Sequence, residues 1–352
     1  MTDSPQTPPQ FPPSEGNRRL AERLFVEQLD QCSRFPKYFE IETVNACNAR
    51  CTMCTIEDWN KGESSVMKME LIEKLADEIR PHAGWVEQVC LNRDGEPTLD
   101  KQLAQRVRLL KGAGVRKVTF ATNGQLMTES FVSELCDAGT DDIMVSIDGA
   151  TKATFEKIRV RLDFDLVVAN TIKLIELRDR LRPQMTVRVR AVAMPENEHE
   201  VRDIIQFWKS RLQDGDSIYA MRMHSWGNQH FQESSEKVAR FADKPCISPF
   251  STMIIDVDGN VPLCGCDYNI KLPMGDFASE SIEEIWRGPP FLRVRDQHAN
   301  GRRNEIEMCR GCDIWDRSLV GAKRDNDRPG LADSPDGKPL LQIQTDLDLD
   351  LS

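Results

Sequence analysis

From about residue 37 to residue 225, short apolar runs rich in Val, Ile and aromatic residues alternate with stretches of helical periodicity. The runs Tyr38–Val44, Val86–Asn92, Lys117–Thr122, Asp142–Ile147, Thr186–Met194 and Ser217–Met223 predict six strands. Between them, Met69, Ile72, Leu75 and Ile79 recur at helical spacing, as do Val201, Ile204, Ile205 and Trp208. Strand–helix repetition of this kind predicts a parallel α/β layout whose reactive loops leave the C-terminal ends of the strands. Six strands fall short of the eight that close a barrel, so an open, partial (β/α)6 barrel is expected.

The pattern changes after about residue 235. Ser251–Val257 and Asn260–Leu263 flank Asp258-Gly259, a two-residue hairpin signal, and a short helix is expected over Ser281–Arg287. Pro329, Gly330, Pro335, Gly337 and Pro339 mark a loose end. The expected organisation is a flexible segment over 1–36, the barrel over 37–235, a small cysteine-bearing domain over 236–318, and a flexible acidic tail over 319–352.

Charge and composition narrow the function. The 352 residues include 46 Lys and Arg against 57 Asp and Glu, a formal charge of -11, which argues against a broad nucleic-acid surface. No run of about 18 apolar residues occurs, so no membrane span is expected. Met1–Asn17 lacks the apolar core of a signal peptide, and a cytoplasmic location is expected. Eleven cysteines are many for that compartment, where disulfides are reduced, so clustered thiols point to metal or catalysis. Cys32, Cys90 and Cys136 stand alone and are read as small buried hydrophobes.

Cys47-Asn-Ala-Arg-Cys51-Thr-Met-Cys54 sets three and then two residues between thiols, just after the first predicted strand. Three thiolates leave one iron of a cubane open, and an open coordination position suits catalysis, whereas structural zinc takes a closed set of four. This loop resembles the signature of the radical SAM superfamily, and the resemblance continues in order along the chain. Gly95-Glu96-Pro97 follows the second strand, Thr122-Asn123-Gly124 closes the third, Ser146-Ile-Asp148-Gly149 closes the fourth, and Arg188 or Arg190 lies on the fifth. The resemblance implies a TIM-like partial barrel holding a site-differentiated [4Fe-4S] cluster that binds S-adenosyl-L-methionine. It implies reductive cleavage to a 5′-deoxyadenosyl radical that abstracts substrate hydrogen. Glu96, beside Gly95 and Pro97, would hold the amino group of S-adenosylmethionine, Arg188 or Arg190 its carboxylate, and Ser146 and Asp148 the ribose side, with Asn123 in the same pocket. Met53 takes a position that is often aromatic in the family, where a thioether can pack on the adenine.

Cys246 is followed after 17 residues by Cys264 and after 44 more by Cys309, and Cys309-Arg-Gly-Cys312 closes the set. Four thiols are complete for one cubane or for tetrahedral zinc, and spacing alone leaves both open. Cys-Ile-Ser-Pro, the Asp-Gly turn, Met274-Gly275-Asp276 and Ile282–Trp286 resemble the SPASM domain in its shortened "twitch" form. That resemblance implies a second, auxiliary [4Fe-4S] cluster on Cys246, Cys264, Cys309 and Cys312, in a small domain of a β-hairpin plus a short helix. The spacing resembles that of aminocyclitol and sugar dehydrogenases and epimerases. The expected enzyme is a radical SAM oxidoreductase or epimerase acting on a sugar-, cyclitol- or nucleoside-like small molecule. A reductant such as flavodoxin or ferredoxin is implied, and a maturase of peptide or protein side chains is the alternative.

Two catalytic candidates stand out. Cys266, two residues after an expected ligand, would return a hydrogen atom in an epimerase, or be a buried thiol or alternate ligand. His224 is placed to act as a base. Glu57, Asp58, Arg93, Arg222 and Trp226 are further candidate substrate contacts.

Overall fold

The structure is a computed structural model describing residues 11–59, 65–314, 342–345, 347 and 349. Six parallel strands follow the predicted runs in chain order: β1 (Tyr38–Ile41), β2 (Gln88–Cys90), β3 (Lys117–Thr122), β4 (Asp142–Ser146), β5 (Thr186–Ala193) and β6 (Ser217–Arg222). Helices cross between them, as parallel pairing requires. The predicted apolar stripes face the sheet: Ile72, Leu75 and Ile79 are buried, and so are Val201, Ile204, Ile205 and Trp208. Local signals end these helices sharply. Thr128 caps Glu129–Ala138 by accepting the amide hydrogen of Phe131, and Gly139 stops that helix at a φ of 96°, where a side chain would be strained.

Two further strands join the sheet, one expected as an arm of the small domain's hairpin and one in the segment expected to be loose. Thr252–Ile255 (β7) pairs parallel with β1, from Tyr38↔Thr252 to Ile41↔Ile255. The Asp258-Gly259 turn forms as expected, with Gly259 at a φ of 104°, and the carboxylate of Asp256 accepts the amides of Asp258 and Asn260. The strand before the turn nevertheless enters the barrel sheet, because all four of its residues are apolar or buried there. The antiparallel pair of the small domain is instead Asn260–Pro262 (β8) with Pro273–Asp276 (β9), followed by the capped helix Ile282–Trp286. At the other edge, Gln342–Thr345 (β10) pairs parallel with β6. The tail is therefore not loose throughout: Ile343, Leu347 and Leu349 pack on the core. Residues 319–341 and the acids Asp346, Asp348 and Asp350 lie outside the described residues.

The sheet order is β10-β6-β5-β4-β3-β2-β1-β7, with β7 and β10 as its two edges. The barrel is open. Its C-terminal rim carries the loops after β1 to β6, and the small domain is fastened to that sheet through β7.

Candidate functional site

The loop after β1 carries Cys47, Cys51 and Cys54, and the loop after β2 presses against it. A side chain at Gly95 would bring its Cβ to 1.9 Å from the carbonyl oxygen of Val44 and 3.0 Å from that of Ala46. Only glycine permits that approach. The amide of Glu96 then donates to the carbonyl of Ala46 at 2.8 Å, next to the first cysteine. On the far side, Arg50–Cys51 forms a short antiparallel pair with Arg159–Val160, and Cys54 closes a turn by donating its amide to the carbonyl of Cys51. Three thiols are thus gathered by backbone contacts from both flanks. Burial pushes the Cys47 thiol up to about 12 and that of Cys54 to about 11. Burial also raises Cys51, opposed by the guanidinium of Arg159.

Glu96 and Asn123 lie at this loop, as the sequence predicts, but they are engaged with the chain. One Glu96 oxygen accepts Thr98 N, Thr98 Oγ1 and Thr122 Oγ1, and the other accepts Asn123 N at 2.8 Å. A buried carboxylate needs such donors, and these lock the ends of β2 and β3 together. Asn123 Nδ2 donates to Asn48 Oδ1 at 2.7 Å, reaching into the cysteine loop itself. Asp148 is fully buried: one oxygen accepts Val192 N and the other Arg159 Nε at 2.5 Å. Both Asp148 oxygens are thus engaged within the chain. Arg188 is likewise engaged. Its guanidinium pairs with buried Asp142 at 2.6 Å, at the opposite end of β4 from Ser146. Arg190, by register, sits level with Ser146 at the rim.

Arg159 was invisible to sequence reasoning. Its Nη1 lies 3.6 Å from Cys51 Sγ while its Nε holds Asp148. The pair raises the guanidinium's hold on its proton, so a buried positive charge stands beside the first thiol group. No local motif announces it.

The second thiol group is closed in. Cys246, Cys264, Cys266, Cys309 and Cys312 line one pocket together with Ser248, His298 and Arg303. Arg303 directs nitrogens to the carbonyls of Lys244, Cys309 and Cys312, which shapes the Cys-x-x-Cys turn. Burial, with Arg303 nearby, holds His298 well below the ordinary histidine range, so its ring is neutral. Cys266 does not lie on a strand. It sits in the turn after β8, 1 % exposed, sharing hydrogen bonds with the thiols of Cys264 and Cys312. It is a fifth thiol of this pocket.

One segment touches both thiol groups. After β6, Trp226, Gly227 and Asn228 take successive left-handed φ angles of 51°, 62° and 64°. Two of them are not glycine, and strain of this kind concentrates at functional sites. Trp226 Nε1 donates to the carbonyl of Met53 in the first loop. Gln229 Nε2 donates to the carbonyl of Cys266, and Asn228 Nδ2 to those of Glu307 and Arg310. The Trp226 ring meets His224 at 4.6 Å and Tyr268 edge-on at 5.9 Å, and the hydroxyl of Tyr268 donates to Asp58 at 3.3 Å. His224 Nδ1 accepts the amide of Trp226. His224, Trp226 and Asp58 are therefore brought together, and Tyr268 joins them unforeseen. The other candidates are drawn elsewhere. Arg222 pairs with Glu198 on the surface, Glu57 is exposed beside Arg50, and Arg93 is buried against Asp94 and the carbonyl of Asp267.

An open parallel barrel with three thiols on a rim loop, joined to a small domain with five more around one pocket, has the build of an iron–sulfur enzyme. Residues 41–207 match the Radical SAM superfamily, and residues 246–313 match the SPASM iron–sulfur cluster-binding domain. The chain carries a Radical SAM domain followed by a SPASM domain. The first domain implies a [4Fe-4S] cluster with S-adenosylmethionine, and the second implies auxiliary iron–sulfur chemistry, which decides between iron and zinc there.

Among known proteins it is similar to GTP 3',8-cyclase of Rhizobium etli, at 27% identity over 55% of this chain and 55% of that one. The chain spans about a third to two thirds of the length of the curated relatives it matches, and about a third to just over half of three of them. Its fold is shared with BtrN in complex with AdoMet and 2-DOIA (TM-score 0.53, 19% identity, covering 79% of this chain and 92% of that one). It is shared too with Streptococcus suis SuiB bound to precursor peptide SuiA (0.61, 14%, 79% and 70%). Among the described residues, no helix is long and apolar enough to cross a membrane.

Proposed function

We propose that Cys47, Cys51 and Cys54 hold the catalytic cluster, that Cys246, Cys264, Cys309 and Cys312 hold one auxiliary cluster, and that the enzyme oxidises a nucleoside-, sugar- or cyclitol-like small molecule. The donor sets fit. Three soft thiols with no fourth suit a cubane left open at one iron, and the glycine-only contact at Gly95 keeps their loop at the rim. When bound, S-adenosylmethionine and the reduced cluster supply the radical that abstracts substrate hydrogen. The chain's residues position, shield and finish. Asn123 braces the loop through Asn48, Arg159 neutralises charge beside Cys51, and Ser146 with Arg190 lines the rim where S-adenosylmethionine would lie.

The observation that carries the reading is the segment after β6. It bonds to the first loop through Trp226 and to the second thiol pocket through Asn228 and Gln229, and it carries the rings of Trp226 and His224, against which Tyr268 of the small domain packs edge-on. Aromatic faces of this sort stack on bases and sugar rings. His224, the candidate base, already accepts the Trp226 amide at Nδ1, so in the neutral ring Nε2 carries the hydrogen and the side chain would donate to substrate. Oxidation fits better than epimerisation because Cys266 faces the auxiliary pocket, where a thiol serves a cluster rather than returning hydrogen to substrate. A cytoplasmic setting with a flavodoxin- or ferredoxin-type reductant suits this chemistry.

Anaerobic preparations should contain about eight irons per chain, two cubanes of four. After reduction with S-adenosylmethionine they should form 5′-deoxyadenosine, faster with nucleotides or aminocyclitols present. Cys266→Ala should retain product formation. Turnover of a peptide alone, with no response to small polyols or nucleotides, would sink the substrate reading. That second reading has its own support in the fold shared with peptide-bound SuiB.

A further inference from the structure

Two polar groups in the wall of the auxiliary pocket have nothing to bond to. His298, in the last turn of the helix Pro289–Ala299, is fully buried and lines the pocket beside the five thiols. Its Nδ1 accepts the amide hydrogen of Cys246 at 3.0 Å. An imidazole nitrogen that accepts bears no proton, so in the neutral ring the hydrogen is assigned to Nε2. That Nε2 is buried without a partner. Ser248, two residues after Cys246 and 1 % exposed, lines the same pocket, and its Oγ is also buried and unpartnered. Buried donors are nearly always satisfied. Two orphans on one thiol-lined pocket point to an acceptor that occupies it.

We propose that His298 Nε2–H, with the Ser248 hydroxyl beside it, donates a hydrogen bond to sulfur of the auxiliary cluster and thereby raises the cluster's reduction potential. This rests on the assignment of Cys246, Cys264, Cys309 and Cys312 as its ligands. Hydrogen bonds to cluster sulfurs favour the reduced, more negative state, and outer groups of this kind are among those that tune a centre. A higher potential makes the cluster a better acceptor for the electron that substrate oxidation releases. Arg303, a cationic neighbour, directs nitrogens at backbone carbonyls and so shapes the ligand turn. The Cys246 amide contact fixes the imidazole edge that is left for the cluster.

The test uses the full chain with Cys47, Cys51 and Cys54 all changed to Ala, so that the auxiliary cluster is the only centre. Iron content and an EPR-monitored redox titration are read in this parent and in two further variants. His298→Asn keeps an oxygen for the Cys246 amide but removes the donor at the Nε2 position. His298→Gln keeps an N–H there. We expect a midpoint potential shifted to a more negative value in His298→Asn, the parent value in His298→Gln, and about four irons in all three. Ser248→Ala should shift the potential the same way by less. An unmoved potential in His298→Asn with full iron overturns the hydrogen bond. Equal shifts in the Asn and Gln variants, or loss of iron from His298→Asn, assign the residue to packing or ligation and overturn it too. A parent with no iron overturns the ligand assignment itself, and the proposal with it.

Discussion

Arg159 shows what one side chain adds to a site whose cysteines were plain in the sequence. The Cys47, Cys51 and Cys54 spacing is local, so it can be read along the chain. Arg159 lies 108 positions from Cys51, and its role exists only because two short strands bring it back. The same holds for Tyr268 and His298, whose meaning lies in contacts made across the fold. Arg159→Met would leave Asp148 charged, buried and unpaired, a loss of about 3–5 kcal/mol. Denaturant unfolding against wild type would measure it, and a change under about 1 kcal/mol would remove the pair from the stability argument. Gly95 makes a second prediction. In Gly95→Ala the new methyl collides with the Val44 carbonyl, so the cysteine loop must shift. Iron should fall from about eight to about four per chain while the auxiliary pocket stays loaded. Full iron in that variant would show that the loop tolerates the shift.

At the level of elements, all six barrel strands were legible because each is an apolar run bounded by turn residues. One error was local: in the segment 1–36, expected to be flexible, Glu15–Arg23 form a capped helix packed through Leu20, Ala21 and Leu24. The others came where pairing partners are distant. Thr252–Ile255 looked like one arm of a hairpin, since the Asp258-Gly259 turn is real, yet its hydrogen bonds run to β1. Periodicity reports which face is buried and cannot say against which neighbour. Gln342–Thr345, in a region rich in Pro, Gly and acids, was hidden for a similar reason: alone it is too short to stand out, and only the free edge of β6 makes it a strand. A chain ending before Gln342 should therefore expose that edge. Amide hydrogens of Ile218 to Ala220 should exchange faster by hydrogen-exchange mass spectrometry, while those of β3 and β4 should not change. Unaltered exchange at Ile218 to Ala220 would mean that β10 adds nothing to the barrel.

Across the whole molecule, the barrel encloses more charge than an apolar core would. Burial pushes the carboxyl of Glu40 up to about 7, Glu42 to about 8 and Asp94 to about 6, with the Arg93 guanidinium among them. Unfolded, such acids release their protons near pH 4. Between that value and the raised one, the folded state binds more protons than the unfolded state, so stability falls as pH rises. Each such group contributes about 1.4 kcal/mol per pH unit across its window. The wild-type melting temperature should thus drop from pH 6 to pH 8, and Glu42→Gln, which can still accept the Val257 amide, should drop less. Parallel pH profiles in the two proteins would show that Glu42 does not hold its proton.

The pairing of β1 with β7 also bears on how the protein is made. Ile41 and Ile255 are neighbours in the sheet although more than 200 residues separate them. At synthesis rates of about 5–20 residues per second, β1 waits on the order of ten seconds or longer for its second flank. Throughout that wait the first cysteine loop hangs from a strand with one open side. Cluster delivery before residue 255 leaves the ribosome would meet a half-built mount, and an exposed strand edge invites pairing with other chains. The nascent chain thus needs β7 in place beside β1 before it can safely receive its first cluster.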